Sequence, residues 1–480
     1  MQKKFLSSLL LIIVLNLLIK PLAIFGIDAS VQNRVGASAY GLYFSLLNLS
    51  FLFNIVLDVG INNYTTKNIA QYPHLVGRYW GKIMSFRLIL FFLYAALTLI
   101  MALVFGYDSN QLILLGVLVF NQLLVTLIAF VRSHFGGLHL FKTDAIISVL
   151  DRLLLIFICG AVLFTNVTDG EFQIEWFIWM QTVAYALTAI TAFALLIHKT
   201  GLPKFRLNKA FSFAILRKSY PYALLILLMM IYTRTDSVML ERIHPNGAYE
   251  AGVYAQGFRL LDALFMFGMI FANLLLPIFA RILKQKSTDL EALLNQSRNL
   301  LMGGAILIGF ICHANASEIL SLIYENNVAE SVPSFQLLMW CFIAMSISLI
   351  YGTLLTAGGN LKFLNRISLV GVLANIGVNL YLIPIYGATG AALATIITQS
   401  LTALAQLLYA HQFLKLNFPM KTILHTLALV LWMLLMIRFV PSGNYLLFTQ
   451  IIVGTVLLFL HRFIDFPSLI SLVKKSELKN

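Results

Sequence analysis

Long runs of apolar residues follow one another along almost the whole chain, and short polar segments separate them. A helix needs about 20 mostly apolar residues to cross the hydrocarbon core of a bilayer. No polar segment between the runs is long enough for a soluble domain. The pattern therefore predicts an all-α polytopic membrane protein with about 14 transmembrane helices. The predicted spans are residues 5–27, 40–63, 82–105, 112–131, 144–165, 175–197, 212–233, 253–280, 300–323, 334–357, 366–386, 388–411, 421–440 and 444–463.

The composition agrees with this class. Apolar residues make up 60% of the chain and charged residues 11%, whereas soluble domains average about 25% charged residues. The N-terminal segment combines a basic start with an apolar run but lacks a clear A-x-A cleavage site, so we interpret it as an uncleaved first helix. Cys159, Cys312 and Cys341 all lie inside apolar runs, which favours packing over disulfide or metal chemistry.

The basic residues are distributed unevenly between alternate loops. Of the 33 Lys and Arg residues, only Arg34, Arg242 and Arg438 fall in predicted outer segments, and a few lie within or at the edges of spans. The others lie in predicted cytoplasmic loops or ends, an asymmetry that predicts a cytoplasmic location for both termini. The formal charge of +14 therefore reflects topology, and we expect no nucleic-acid partner.

The chain also contains a weak internal repeat. Residues 40–45, YGLYFS, are similar to residues 251–256, AGVYAQ, at an offset of 211 positions (252 − 41). Each copy follows a span with a cation near its end, Lys20 in the first copy and Arg234 in the second. Both halves start on the inner side, so the repeat is parallel. The predicted divisions are an N-terminal lobe at 1–197 (spans 1–6), a cytoplasmic linker at 198–218, a C-terminal lobe at 219–411 (spans 7–12), and the last two spans with a cytoplasmic tail at 412–480.

Three stretches together resemble a known family of membrane proteins. They are residues 35–60 with VG, YGLY and LDVG, residues 235–254 with TDSVML and AGVY, and residues 375–392 with NIGVNLYLIP and GATGAA. The set resembles the polysaccharide-biosynthesis branch of the multidrug/oligosaccharidyl-lipid/polysaccharide (MOP) exporter superfamily, the Wzx-type flippases of lipid-linked oligosaccharides. The resemblance implies a V-shaped, MATE-like pair of six-helix lobes around a central cavity, followed by two C-terminal helices that help to accommodate a lipid tail.

The resemblance also implies a function. Members of this branch move an undecaprenyl-pyrophosphate-linked oligosaccharide repeat unit to the outer leaflet by alternating access, for the synthesis of O-antigen, capsule or exopolysaccharide. The implied location is the bacterial cytoplasmic (inner) membrane, with membrane lipids and polysaccharide polymerase machinery as further partners. We expect no bound cofactor and no metal site, and coupling to H⁺ or Na⁺ is left open.

Cations within the spans are the candidate substrate contacts. A pyrophosphate needs Lys or Arg as counter-charge, and a charge at the centre of a membrane helix costs about 2.5–3.5 kcal/mol unless it faces protein or water. Lys20, Arg234 and Arg259 are therefore the predicted cavity cations. The alternatives are that Lys20 reaches the outer interface beside Pro21 and that Arg259 only pairs with Asp262 one turn further on.

Four acidic residues lie within or at the ends of spans. Asp58, Asp151, Asp236 and Asp262 are candidates for coupling a cation or for pairing with a basic residue. Arg87 and Arg152 begin their spans near the cytoplasmic side, which favours side chains that reach the interface. The alternative is that they pair with Asp58 or Asp151, which lie somewhat deeper. We find no nucleophile with a base, no phosphate-binding glycine loop and no set of metal ligands in the sequence, and thus no candidate catalytic residues.

Two other functions compete with the flippase hypothesis. A cation-coupled multidrug exporter of the same superfamily would favour acidic residues in its cavity, and the embedded basic and acidic residues are close in number here. A membrane polysaccharide polymerase would need a sizeable outer loop with catalytic groups, whereas the longest predicted outer loop runs only from Arg234 to Gly252. The resemblance and the number of spans favour the flippase.

Overall fold

The computed structural model describes residues 11, 14–72, 76–165, 172–202, 209–285, 289–417, 420–439, 444–460 and 463. The start of the first predicted span, residues 203–208 of the predicted linker and most of the predicted tail lie outside these residues. Every element within them is a helix. Ten helical segments of the described chain are long and apolar enough to cross a membrane. The predicted class, an all-α polytopic membrane protein, is confirmed.

The first helix starts within the described chain at residue 14 and contains the π-helical segment Leu22–Asp28 before α1. The α-helices are α1 (Ala29–Leu52), α2 (Ile55–Asp58), α3 (Ile61–Gln71), α4 (Val76–Val104), α5 (Ser109–Gly137), α6 (Phe141–Phe164), α7 (Ile174–Thr200), α8 (Lys209–Ile243), α9 (Gly247–Gln285), α10 (Asp289–Ala314), α11 (Ala316–Ser321), α12 (Val328–Ala357), α13 (Leu361–Leu414), α14 (Met420–Phe439) and α15 (Asn444–Leu460).

Two of the ten apolar segments are longer than one membrane crossing needs. Val14–Asp58 has 45 residues and Leu361–Leu414 has 54, whereas about 20 residues are enough to cross. Non-helical backbone interrupts each of them, at Gly36 with a φ of 80° and at Gly387 with a φ of 53°. Glycine adopts this left-handed backbone without the steric penalty of a Cβ atom, so it allows the sharp change of direction. The number of fourteen spans and the cytoplasmic location of the termini stay predictions.

The π-helical segment changes how the first predicted span ends. The apolar run stops at residue 27, yet the helix continues without a break through Asp28 into α1. The side chain of Asp28 is consequently buried, and the Tyr40 hydroxyl donates a hydrogen bond to its Oδ2 at 2.8 Å. A π-helical turn inserts one residue into the helical register and is frequent at functional sites.

The chain forms two compact units. The first unit contains Met1–Ala255 with Ile323–Asn327, and the second contains Gln256–Leu322 with Val328–Asn480. The first unit has an apolar core around Trp80, Phe130 and Phe135, all of which are fully buried. The division of the sequence into lobes, linker and C-terminal pair given above stays a prediction.

Within the second unit, α14 and α15 pack on α10 through an apolar core with a polar contact at each end. The core contains Ile306, Phe310, Leu429, Met433, Leu458 and Phe463. Near the start of α10, the buried guanidinium of Arg298 donates to the Thr422 hydroxyl at 2.6 Å. Just after its end, the Asn315 side chain donates to Oε1 of Gln450 at 2.7 Å. The C-terminal helices are therefore attached to the unit by specific polar contacts as well as by apolar packing.

We predict that Thr422→Val destabilises the attachment of α14. The substitution keeps the shape of the side chain but removes the hydroxyl that accepts from the buried Arg298, and a hydrogen bond to a charged group contributes about 1.5–3 kcal/mol. Thr426→Val is the matched control, because the Thr426 hydroxyl donates only to the Thr422 carbonyl of its own helix. Thermal unfolding of the purified protein in detergent should separate the two variants, and equal melting temperatures would contradict the assignment.

Candidate functional site

The predicted site residues are divided between the two units. The first unit contains Lys20, Asp58, Asp151, Arg234 and Asp236, and the second unit contains Arg259 and Asp262. All seven lie within helices, and their neighbours differ in ways that the sequence does not reveal.

Asp58 forms an ion pair with the buried Arg87. Its Oδ1 lies 2.6 Å from Nη2 of Arg87, whose side chain is only 3% exposed. The same guanidinium donates to Oδ1 of Asn62 at 2.6 Å and to the Thr126 carbonyl at 3.0 Å, and it lies 4.6 Å from the centre of the Phe130 ring. With a carboxylate and several further acceptors around it, Arg87 has the environment of a structural cation.

Lys20 faces α6, the helix that carries Asp151 and Arg152. One turn before Lys20, the Asn16 side chain donates to the Ser148 hydroxyl at 3.0 Å, which fixes this face of the first helix against α6. The charges of Arg152 and Asp151 act on the half-buried Lys20. Arg132, which pairs with Asp144, also acts on Lys20. The cations Lys20, Arg132 and Arg152 therefore outnumber the carboxylates Asp144 and Asp151 in this part of the first unit, and an anionic group would be attracted to it.

Arg152 is held by a carboxylate and a tyrosine. Its Nε lies 3.7 Å from Oδ2 of Asp151, and its Nη1 donates to the Tyr185 hydroxyl at 3.2 Å. The guanidinium carbon lies 5.7 Å from the centre of the Tyr185 ring. The ion pair with Asp151 is loose, because a distance of 3.7 Å is beyond that of a charge-assisted hydrogen bond.

Arg234 lies deep within α8, nine residues before the helix ends at Ile243 and thus about 14 Å from that end. Its side chain is half-buried. Nη1 donates to Oδ1 of Asn48 on α1 at 3.3 Å, and the guanidinium lies 5.4 Å from the centre of the Phe51 ring on the same helix. An amide oxygen accepts a hydrogen bond from a guanidinium and an aromatic face attracts it, so both neighbours favour this orientation of the side chain.

Asp236, two residues further along α8, is almost fully buried at 1% exposure. The hydroxyl of Tyr254, at the start of α9, donates to its Oδ2 at 3.4 Å. Side chains two positions apart point to different faces of a helix, so Arg234 and Asp236 have different surroundings although they are close in sequence.

Arg259 and Asp262 lie one turn apart on α9 and are both half-buried. Residues at this spacing are neighbours on the helix surface. Their roles as cavity cation and coupling or pairing acid stay predictions.

The structure adds residues that the sequence reasoning missed. Asn48 and Phe51 contact Arg234, Tyr185 contacts Arg152, and Asp28 forms a buried pair with Tyr40. One of them carries a signal in the sequence, because Asn48 shifted by the repeat offset of 211 positions coincides with Arg259. The aromatic partners carry none, since tyrosine and phenylalanine are abundant throughout the spans.

The arrangement is suited to binding rather than to bond-making. In the part of the chain that the structure describes, no group of three or more His, Cys, Asp or Glu side chains is placed to hold a metal ion. The surroundings of Arg234 and of Lys20 with Arg152 instead combine guanidinium and ammonium groups with amide and hydroxyl groups. Such surroundings can receive a phosphate group through charge-assisted hydrogen bonds.

Comparisons with known proteins identify the family and the fold. The model of the family described as polysaccharide biosynthesis protein matches residues 5–283. No curated protein matches the sequence.

Several solved structures are similar to the chain. One is lipid II flippase MurJ in an inward closed conformation, with a TM-score of 0.68, 16% identity, and coverage of 96% of this chain and 100% of that chain. Another is an inward-facing multidrug resistance MATE family transporter of the MOP superfamily, with a TM-score of 0.62, 12% identity, and coverage of 82% and 94%. A MOP superfamily transporter from Pyrococcus furiosus has a TM-score of 0.59 at 12% identity, with coverage of 85% and 94%. The likeness confirms the predicted MOP-type fold.

We predict that Asp58→Ala destabilises the protein far more than Asp144→Ala. Removing Asp58 leaves the buried Arg87 without its carboxylate, and breaking a buried pair in this way costs about 3–5 kcal/mol. Asp144 is the matched control, because it pairs with Arg132 at a similar distance, 2.7 Å, but Arg132 is 32% exposed. Exposed pairs contribute about 0–1 kcal/mol. Melting temperatures in detergent provide the measurement, and similar losses in both variants would contradict a structural role for the Asp58 pair.

Proposed function

The chain belongs to the polysaccharide biosynthesis protein family, and we propose that it is a flippase for a polyprenyl-diphosphate-linked oligosaccharide. In this proposal it moves the repeat unit from the cytoplasmic to the outer leaflet of the bacterial inner membrane by alternating access. The product would be a lipid-linked repeat unit on the outer side, ready for polymerase machinery that builds a surface polysaccharide. The chain itself breaks no bond of the substrate and acts as a transporter.

The observation that carries the proposal is the position of Arg234. Arg234 lies within a helix that is long and apolar enough to cross a membrane. A guanidinium is costly there, and such residues usually mark a substrate or ion pathway. The Asn48 amide and the Phe51 ring hold it in a fixed orientation. A diphosphate provides two anionic groups that a guanidinium can bind through two parallel hydrogen bonds.

The group around Lys20 supports a second contact with an anion. Lys20 and Arg152 are two cations that repel each other, with Asp151 as a nearby carboxylate. An anionic head group would relieve this repulsion, and the Tyr185 hydroxyl offers a further polar group. In the first unit, the substrate cations of the proposal are therefore Lys20, Arg152 and Arg234, and Arg259 stays a candidate cation of the second unit.

The lipid carrier needs a different surface. A polyprenyl tail is apolar and can stay in the hydrocarbon while the head group crosses through a polar environment. In the C-terminal pair, α14 exposes a row of apolar side chains, which are Leu424, Leu427, Leu431, Trp432 and Leu435. This face is suited to contact with acyl or polyprenyl chains.

We further propose that an ion gradient drives the cycle and that Asp236 is the coupling acid. A carboxylate at 1% exposure is unstable when charged unless polar groups or a cation stabilise it, so its occupancy by H⁺ or Na⁺ affects the local packing. The Tyr254 hydroxyl contacts this carboxylate from the start of α9. Protonation or cation binding at Asp236 would therefore change a contact between α8 and α9.

A multidrug exporter is the second candidate, because two buried carboxylates, Asp28 and Asp236, could receive a cationic drug. The two candidates differ in the sign of the charge that they bind. A strain that gains resistance to a cationic dye but no surface polysaccharide would favour the exporter.

We predict that Arg234→Ala abolishes most of the flippase activity. In a strain that lacks its own flippase, the wild-type chain should restore surface polysaccharide and clear the lipid-linked oligosaccharide that accumulates on the cytoplasmic side. Loss of a charge-assisted hydrogen bond costs about 1.5–3 kcal/mol, which corresponds to a roughly 10- to 100-fold weaker interaction. Arg234→Lys should retain part of the activity because it keeps the charge but loses the two-point geometry.

Arg217→Ala is the control for this experiment. Arg217 lies on the same helix but is exposed near its start, so its loss should leave polysaccharide export unchanged. Export at the wild-type level by Arg234→Ala, at equal amounts of protein in the membrane, would remove Arg234 from the substrate pathway.

We predict that Asp236→Asn uncouples transport from the driving ion. In proteoliposomes, the wild-type chain should flip a fluorescent polyprenyl-diphosphate-linked sugar faster when a proton or sodium gradient is imposed. The asparagine keeps the shape of the side chain and a hydrogen-bond acceptor for Tyr254, but it cannot be charged. Its rate should therefore be the same with and without the gradient, whereas a variant that still responds to the gradient would exclude Asp236 as the coupling acid.

A further inference from the structure

The carboxylate of Asp151 on α6 acts on two cations. Its Oδ2 lies 3.7 Å from Nε of Arg152, and its charge also acts on Lys20 of the first helix. A second carboxylate, that of Asp28, acts on Arg152 as well, but more weakly than Asp151 does. Asp151 is therefore the main counter-charge of Arg152, and it shares its effect between Arg152 and Lys20.

The ion pair of Asp151 with Arg152 is loose and partly open to the surroundings. At 3.7 Å it is too long for a charge-assisted hydrogen bond, whereas the Asp58 carboxylate lies 2.6 Å from Arg87. The side chain of Arg152 is 34% exposed and that of Asp151 is 16% exposed, while that of Arg87 is only 3% exposed. Another anion can therefore replace Asp151 at the guanidinium without first breaking a strong hydrogen bond.

A tyrosine holds the other end of the same guanidinium. Nη1 of Arg152 donates to the Tyr185 hydroxyl at 3.2 Å, and Tyr185 is itself only 6% exposed. Nε and Nη2 form the edge with which an arginine binds a carboxylate or a phosphate through two parallel hydrogen bonds. Asp151 faces the Nε end of this edge from a distance. Tyr185 thus orients Arg152, and the edge that Asp151 faces is suited to a phosphate group.

We propose that Asp151 is an internal competitor of the substrate, which acts as the counter-charge of Arg152 and Lys20 in the empty site and is displaced by a diphosphate group. The inference rests on the proposed function, since it assumes that these two cations bind the anionic head group. A transport pathway must bind its substrate tightly enough to admit it and weakly enough to release it. A carboxylate that competes for the same cations lowers the affinity and promotes release.

The loss of a competitor has the opposite effect to the loss of an ordinary binding residue. Without the charge of Asp151, the diphosphate binds more tightly, and its release from the site becomes slower. A residue with only a structural role would not separate the two quantities in this way, because damage to the fold weakens binding and transport together. Affinity and rate must therefore be measured on the same variants.

The test combines two measurements on the purified full-length protein. Binding of undecaprenyl diphosphate in detergent is measured by native mass spectrometry, which reports on the folded molecules. The rate is that at which proteoliposomes flip a fluorescent polyprenyl-diphosphate-linked sugar at saturating concentration. Asp151→Asn keeps the shape of the side chain and removes its charge. It should bind the diphosphate about tenfold more tightly and flip the sugar more slowly than the wild type.

Asp151→Glu distinguishes the charge of the side chain from its exact shape. It keeps a carboxylate that can compete for the guanidinium, so its affinity should stay close to that of the wild type. Unchanged or weaker diphosphate binding by Asp151→Asn would overturn the inference, and so would equally tight binding by Asp151→Asn and Asp151→Glu.

Asp144→Asn is the matched control, because it removes one negative charge from the same helix. The Asp144 carboxylate lies 2.7 Å from Nε of Arg132, a cation that also acts on Lys20. The gain in affinity should be smaller for Asp144→Asn than for Asp151→Asn. Equal gains would show a general effect of positive charge and would contradict competition at Arg152.

The double variant Asp151→Asn with Arg152→Ala decides whether Asp151 acts through Arg152. If it does, the gain in affinity from Asp151→Asn shrinks when the guanidinium is absent, whereas a full gain in this background would overturn the inference. The proposed function fails separately, if the wild-type chain binds no undecaprenyl diphosphate. When the wild type binds it and Asp151→Asn binds it no more tightly, only the inference fails.

Discussion

A charged guanidinium is costly among apolar helices, and its need for polar partners determines where many of the interior polar side chains of the first unit lie. Each embedded arginine of the first unit meets that cost differently. Arg87 has a carboxylate at 2.6 Å and three further groups around it, the Asn62 amide, the Thr126 carbonyl and the Phe130 ring. Arg152 has a more distant carboxylate and a tyrosine, and Arg234 has an amide and an aromatic ring among its neighbours. A tightly paired cation stabilises the fold but has little attraction left for a ligand. The ion pair of Arg152 is looser than that of Arg87, with 3.7 Å between nitrogen and oxygen instead of 2.6 Å.

The fold class could be predicted from the sequence because its cause is local. An apolar run of about 20 residues must satisfy its backbone hydrogen bonds internally in a membrane, and a helix does so whatever its neighbours are. The sharp bend at Gly387 was also near a predicted boundary between spans, since residues 366–386 and 388–411 are two separate apolar runs. The end of the first span was not predictable in the same way. Hydropathy falls at Asp28, but the helix continues through it, and a buried tyrosine hydroxyl donates to the carboxylate.

The candidate site could be predicted only in part. Hydropathy picks out Lys20, Arg234 and Arg259, because a charge within an apolar run is conspicuous. It does not tell which cation is paired, since that depends on partners that are distant in the sequence. Asp58 reaches Arg87 across 29 positions, and Asn48 reaches Arg234 across 186. An alignment of the two internal copies points to Asn48, but the partners of each arginine are known only from the structure.

Helices α1 and α9 approach each other at the backbone, at Gly41 and Gly252, where a Cβ atom would overlap the opposite main chain. This close approach limits which substitutions the sequence can accept. At most packing contacts, a larger side chain on one helix can be accommodated by a smaller one on the other. The two positions can then change together during evolution. Here each glycine meets the main chain of the opposite helix, Gly41 at Ala248 and Gly252 at Ala37, and these positions are related by the same offset of 211. The main-chain atoms are the same for every residue type, so no substitution on the opposite helix can make room for a Cβ atom. Neither copy of the repeat can therefore compensate for a larger residue in the other. Both positions must stay glycine as long as the two helices keep this contact.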